Sequence, residues 1–259
     1  VQDALQMHVR PELREPALLL AFEGWNDAGE AATTALRYVN DAIQSVPLAE
    51  IDPEEFFDFT VRRPNVVLEH TRTRRIVWPR NELRYGSLDA ERELVTGIGV
   101  EPHLRWRRFS QIVVEAAREL GVRQVVLLGA YLADVVYSRP VKVTGFSSQT
   151  GELERLGIDA SSYQGPTGIV GVLAEDFQRA GLRVLSLWAG LPHYINASPN
   201  PRGALALLQS LTGVLGFRVD DAPLRSAAAE FEEKISQLVA SDPELSEYVK
   251  QLKRREFAQ

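Results

Sequence analysis

The chain has 259 residues, 45% of them hydrophobic, and a formal net charge of −6. That length supports one large α/β domain or one domain with an appendage, and the acidic balance excludes a generally basic nucleic-acid surface. There is no cysteine, which excludes disulfides, thiolate catalysis and cysteine metal sites.

No apolar run approaches the roughly 20 residues of a membrane span, and the opening VQDALQMHVRPEL lacks the basic and apolar regions of a signal peptide. A soluble, cytoplasmic protein with no membrane partner is expected. Of the 29 basic residues only Lys142, Lys234, Lys250 and Lys253 are lysine. This arginine usage suggests a GC-rich, bacterial genome.

In chain order, residues 17–23 (ALLLAFE) form a continuous apolar run, as in a central parallel strand. Gly24 permits a tight exit, and Asn26 or Asp27 caps a helix over Ala28–Ile43. Pro47–Ile51 reads as a short strand. Residues 56–100 look different: 56–61, 65–70, 74–78, 83–88 and 94–100 are short β candidates, with a hairpin tip at 70–75. Pro64 and Pro79 sit at strand boundaries.

Alternation of helix and strand then returns. Pro102–Leu120 reads as a helix with Trp106, Phe109, Ile112, Val113, Ala116 and Leu120 on its apolar face, closed by Gly121. Residues 123–130 (RQVVLLGA) are a second buried strand, and 141–147 another. Thr167–Ala180 is a helix, 182–188 the next strand, and 200–217 a long helix with Pro201 in its first turn. From about Asp221 two amphipathic stripes follow, the second capped by Asp242 and opened by Pro243. The expected division is an α/β core over 1–220, with a β-rich insertion at 56–100, and a C-terminal helical hairpin over 221–259.

Three strand-end turns carry polar residues, and in open α/β sheets ligands and partners meet such turns beyond the carboxyl ends of the strands. Gly24–Gly29 (GWNDAG) reads either as an anion or carbonyl site on free helix amides or as an ordinary capped turn. It is neither a Walker loop nor a dinucleotide fingerprint, and Asp27 and Glu30 would repel phosphate. After the second strand, Tyr131 and Asp134 reach the same edge if the strands are neighbours. After the third, Pro192, His193 and Tyr194 follow, and a neutral histidine beside Asp27 or Asp134 has the chemistry of a base. No nucleophile motif accompanies it, so no catalytic residue is assigned. The four histidines are scattered without metal-ligand spacing, so no metal site is expected. The candidate binding residues, as interface or pocket, are Gly24, Trp25, Asn26, Asp27, Tyr131, Asp134, Pro192, His193 and Tyr194. Arginines at 72, 74, 75, 80 and 84, and at 105, 107 and 108, read as solvated faces or, in a homo-oligomer with an acidic body, as a contact between subunits.

The stretches FEGWNDAGEAAT, ARELGVRQVVLLGAYLAD, GPTGIVGVLAEDFQRAGL and AGLPHYINASPNPRGALALLQSL, in this order, resemble the proteasome assembly chaperone 2 family. Phe57, Asp58 and Phe59, Arg63-Pro64, Trp78-Pro79 and Gly99–Pro102 (GVEP) resemble its bacterial, actinobacterial-type branch. The resemblance covers about Ala17–Val219. It implies a three-layer α/β/α fold with a mixed sheet, related in architecture to phosphorylases and peptide hydrolases, and no cofactor. It also implies a homo-oligomer, with a trimer as the expected form, and proteasome α-subunits as partners. Members that dock on the proteasome can end in a hydrophobic–Tyr–any residue tail. Here the last residues are Glu256, Phe257, Ala258 and Gln259, a departure from that pattern. The function expected is that of a non-enzymatic interaction protein. The alternative is a small-molecule binder or hydrolase-like enzyme using the edge near Asn26, Asp27 and His193.

Overall fold

The computed structural model describes residues 4–69 and 73–257. Its strands are β1 (Leu5–Met7), β2 (Ala17–Glu23), β3 (Val46–Ile51), β4 (Asn65–Glu69), β5 (Thr73–Val77), β6 (Asn81–Ser87), β7 (Glu93–Val100), β8 (Gln124–Ala133), β9 (Val143–Ser147), β10 (Asp159–Ala160) and β11 (Arg183–Pro192). Its α-helices are α1 (Ala31–Ala42), α2 (Trp106–Glu119), α3 (Glu152–Leu156), α4 (Ile169–Arg179), α5 (Pro201–Leu215), α6 (Ala222–Ser241) and α7 (Pro243–Phe257).

The apolar runs become the parallel centre of a nine-stranded mixed sheet of order β1-β3-β6-β7-β2-β8-β11-β9-β10. β7, β2, β8 and β11 run parallel, while β6 and β9 flank them antiparallel. Alternate residues of each central strand feed opposite faces. On one face Leu18, Leu20, Phe22, Val125 and Leu127 pack under α2 and α4. On the other, Leu19, Ala21, Val126, Leu128 and Leu187 pack under α1 and α5. Burial on both sides explains why these strands read as unbroken apolar runs. The result is a three-layer α/β/α fold. A third, smaller core joins Val136 and Ile195, just beyond β8 and β11, to Ile235, Val239, Val249 and Leu252 of the α6–α7 hairpin. No helix among the described residues is long and apolar enough to cross a membrane.

Several expectations needed correction. Residues 56–61 are not a strand. Asp52 caps a 3-10 turn at Pro53–Glu55, and the chain then turns so that the consecutive side chains Phe56 and Phe57 both enter the core, 0% and 4% exposed. Asp58 completes the bend by accepting from the Thr60 amide at 2.8 Å. The helix expected from Pro102 begins only at Trp106, because Arg105 takes a left-handed φ of 54°. β8 and β11 run on to Ala133 and Pro192, so Tyr131 and Pro192 lie within strands rather than in the loops after them. β1, α3 and β10 were not foreseen. β4 and β5 form the expected hairpin, but as a separate two-stranded sheet. Of its expected tip, residues 70–72 lie outside the described residues.

Candidate functional site

The adjacency of β2, β8 and β11 brings the three polar turns to one edge of the sheet. The β2 turn is built inward. Gly24 adopts a φ of 117°, the Asn26 carbonyl accepts from the Ala130 amide at 2.8 Å, and Asp27 pairs with Ala130 as a parallel bridge. The turn therefore extends the β2–β8 ladder. Trp25 points outward, 59% exposed.

Asp27 is buried, and its carboxylate accepts from the amides of Ala32 at 2.7 Å and Thr33 at 3.3 Å and from the Thr33 hydroxyl. It caps α1 across an intervening 3-10 turn, whose Gly29 and Glu30 have φ of 58° and 51°. Burial pushes the Asp27 carboxyl above its ordinary value, against the pull of the Thr33 hydroxyl and the two amides. Asn26, fully buried, donates from Nδ2 to Glu101 Oε1 at 2.8 Å. The same oxygen accepts from the Ile169 amide at 2.8 Å, the first residue of α4. Asn26 Oδ1 has no partner among the described residues. It backs on Gly168, where a Cβ would lie only 2.2 Å from it.

Asn200 completes the series. Its side chain accepts from the Gly203 amide at 3.0 Å at the start of α5, and its own amide donates to the Gly29 carbonyl at 2.7 Å. Thus α1, α4 and α5 carry an Asp, a Glu and an Asn of this chain at their N-termini. In a phosphate-binding α/β protein such helix ends face the ligand.

The other half of the edge lies under α7. His193 Nε2 is 3.0 Å from Asp134 Oδ1 and 2.8 Å from the Tyr248 hydroxyl. Tyr248 also donates to Asp134 Oδ1 at 3.4 Å. The rings of His193, Tyr194 and Tyr248 meet edge-to-face, with centroids 5.4–5.7 Å apart. The Tyr194 hydroxyl accepts from the Tyr137 amide at 2.9 Å and donates to the Val135 carbonyl at 3.0 Å. Burial pushes its pKa up to about 12. Tyr248 is raised too, by desolvation first and then by the Asp134 carboxylate. Tyr131 stands opposite Gly190 in the β8–β11 ladder. A cleft of about 230 Å³ lies between this edge and the hairpin, bounded by Val136, Pro192, Ile195, Phe231 and Ile235.

Asp134, His193 and Tyr194 therefore gather with Tyr248, whereas Asn26 and Asp27 are held in hydrogen bonds of their own. Among the described residues no hydrogen bond joins Asn26 or Asp27 to His193. Nor does any group of three or more His, Asp or Glu there have metal-holding geometry. Sequence reasoning missed Glu101, Asn200 and Tyr248. Glu101 lay unmarked before Pro102. Tyr248 was one position of an apolar stripe, and only the hairpin's docking shows that its hydroxyl meets His193.

A family model for the PAC2 family matches residues 21–239. Among solved structures, a PAC2 family protein from Streptomyces avermitilis is 39% identical with a TM-score of 0.82, the match covering 90% of this chain and 99% of that one. A proteasome-assembly chaperone homologue from Mycobacterium tuberculosis is 38% identical with a TM-score of 0.83, over 90% and 99% of the two chains. An archaeal proteasome activator from Pyrococcus furiosus, 18% identical with a TM-score of 0.72 over 90% and 97%, shares the fold. No curated protein matches the chain. On the extent of the family match and these identities, the chain belongs to the PAC2 family.

Proposed function

We propose that this chain is a chaperone-type interaction protein that works as a homo-oligomer and engages proteasome α-subunits, without catalysing a reaction. The observation that carries the reading is the occupancy of the strand-end edge by the chain itself. Asp27, Glu101 and Asn200 take the helix ends that would otherwise hold an anionic substrate, and α7 lies over His193. An edge closed in this way suits a surface that supports contacts better than a pocket that turns over a ligand. The named role of the Mycobacterium tuberculosis relative supports the choice of partner. On this reading residues 1–220 are the body and 221–259 an appended hairpin, while Trp25, Tyr131 and Asp134 form an outward rim in the cytoplasm.

The test is native mass spectrometry of the protein, alone and mixed with 20S α-subunits from the same organism. A homo-oligomer that forms a defined complex with α-subunits supports the proposal. A protein that ignores them, especially one carrying an unexplained small-molecule mass, overturns it and returns attention to the Asn26–His193 edge.

A further inference from the structure

A cleft of about 370 Å³ opens over β6 and β7, between α1 and the root of the β4–β5 ribbon. Its volume falls within the range of about 300–1,000 Å³ common to small-molecule sites. Five arginines line it: Arg37 from α1, Arg62 and Arg63 from the approach to β4, Arg80 from the entry to β6, and Arg84 from β6. Opposite them stand Glu23 and Glu82 in the cleft, and Glu50, which Arg80 faces. Five cations against three carboxylates leave two positive charges unbalanced around one cavity.

The carboxylates hold some guanidinium groups in place and leave others with donors to spare. The two oxygens of Glu23 take Arg37 at 2.8 Å and Arg62 at 2.5 Å. Arg37 is steadied further by the Thr33 hydroxyl at 3.3 Å. Arg84 is spent on Glu82 and on the side chain and carbonyl of Ser45. Arg62 gives one amino group to Glu23, of the five N–H donors a guanidinium carries. Arg80 stands 3.8 Å from Glu50, beyond hydrogen-bond distance. Arg63 has no ion pair or hydrogen bond among the described residues. Arg62, Arg63 and Arg80 therefore bring unfilled donors to one cavity. Beside them Trp78 lines the cleft. Phe59 fixes its ring edge-to-face, with centroids 4.8 Å apart, yet Trp78 stays 43% exposed. Ile98 and Val100 add apolar wall.

We propose that this cleft binds a small phosphate monoester bearing a flat aromatic group, the chemistry of a nucleoside monophosphate. A phosphoryl group carries close to two negative charges at neutral pH and three acceptor oxygens, which matches the two unbalanced charges and the free arginine forks. Arg62, Arg63 and Arg80 hold the phosphoryl group, and Trp78 supplies a stacking face for the ring. The inference goes beyond the function proposed above and does not rest on it.

The experiment is isothermal titration calorimetry on the full chain at low salt, with inorganic phosphate, adenosine monophosphate and adenosine as probes. It compares wild type, Arg63→Ala/Arg80→Ala, Trp78→Ala, and Arg107→Ala/Arg108→Ala. The last pair lies on α2, across the sheet from α1, and removes the same charge outside the cleft. Wild type should bind the monophosphate with a Kd of about 1 mM or tighter, and inorganic phosphate roughly tenfold more weakly for want of stacking. Adenosine alone should bind more weakly still than the monophosphate. Arg63→Ala/Arg80→Ala should weaken both phosphate probes by roughly tenfold or more. Trp78→Ala should bring the monophosphate to the level of inorganic phosphate and leave the latter unchanged. Circular dichroism should show all variants folded, and the arginine pair, being exposed, keeps the test decisive if Trp78→Ala is not. No saturable binding of either phosphate probe, a monophosphate that binds no tighter than inorganic phosphate, or an equal loss in the α2 variant, which would mark an adventitious ion only, would overturn the proposal.

Discussion

Replacing Asp27 by alanine tests whether the β2 turn is a structural cap. Among the described residues, the substitution removes the only side-chain acceptor of the Ala32 and Thr33 amides at the start of α1. Both residues are 0% exposed, so water cannot readily take its place. Loss of an N-cap costs about 1 kcal/mol, and each buried donor left without an acceptor costs about 1–3 kcal/mol. Relief of the carboxylate's own desolvation offsets part of this, so Asp27→Ala should lose about 3 kcal/mol. Asp27→Asn keeps an acceptor oxygen for the amides and should lose about 1 kcal/mol. Urea denaturation followed by circular dichroism gives both values, provided the m-value is unchanged. A second readout follows from the raised carboxyl pKa. The folded state holds this proton more tightly than the unfolded state, whose value lies near about 4. The contribution is therefore fully present below that value and is lost as pH rises through the raised folded value. Wild-type stability minus that of Asp27→Asn should fall across this window. A loss below about 0.5 kcal/mol in Asp27→Ala, within the range of ordinary surface changes, or a difference that rises with pH, would refute the reasoning.

Two further outcomes are expected. Gly168→Ala places a methyl group 2.2 Å from Asn26 Oδ1 and 2.5 Å from Glu101 Oε1, and should destabilise by about 1–3 kcal/mol through forced displacement of both side chains, read by thermal unfolding. One tyrosine should ionise late, at about 12, in an ultraviolet titration, and Tyr194→Phe should abolish that step. The stability tied to this proton is complete below the ordinary tyrosine value and is lost as pH rises through the folded one.

The strands carrying the core were legible because burial on both faces leaves nothing but apolar residues, as in Leu18–Phe22 and Val125–Leu128. Their order across the sheet was not legible, since every pairing along the parallel centre joins residues far apart in sequence. Phe56 and Phe57 misled because two adjacent aromatic residues suit a strand, whereas a bend after Asp52 and before Asp58 buries both. The polar residues of the edge were found, but their division was not. Separating Asn26 and Asp27 from His193 depends on Glu101 and Tyr248, which arrive from β7 and α7 by long-range packing.

Among the described residues the β4–β5 ribbon shares no ladder with the nine-stranded sheet, and every residue of β4 is exposed. Substitution, lengthening or exchange of this segment therefore leaves the core's packing untouched. Exposed segments of this kind are where chains tolerate insertions, and exposed substitutions usually change stability by no more than about 0.5 kcal/mol. The ribbon is thus a segment whose sequence can be redrawn independently of foldability. Ribbons exchanged between family members should therefore be carried by the α/β body without loss of its fold.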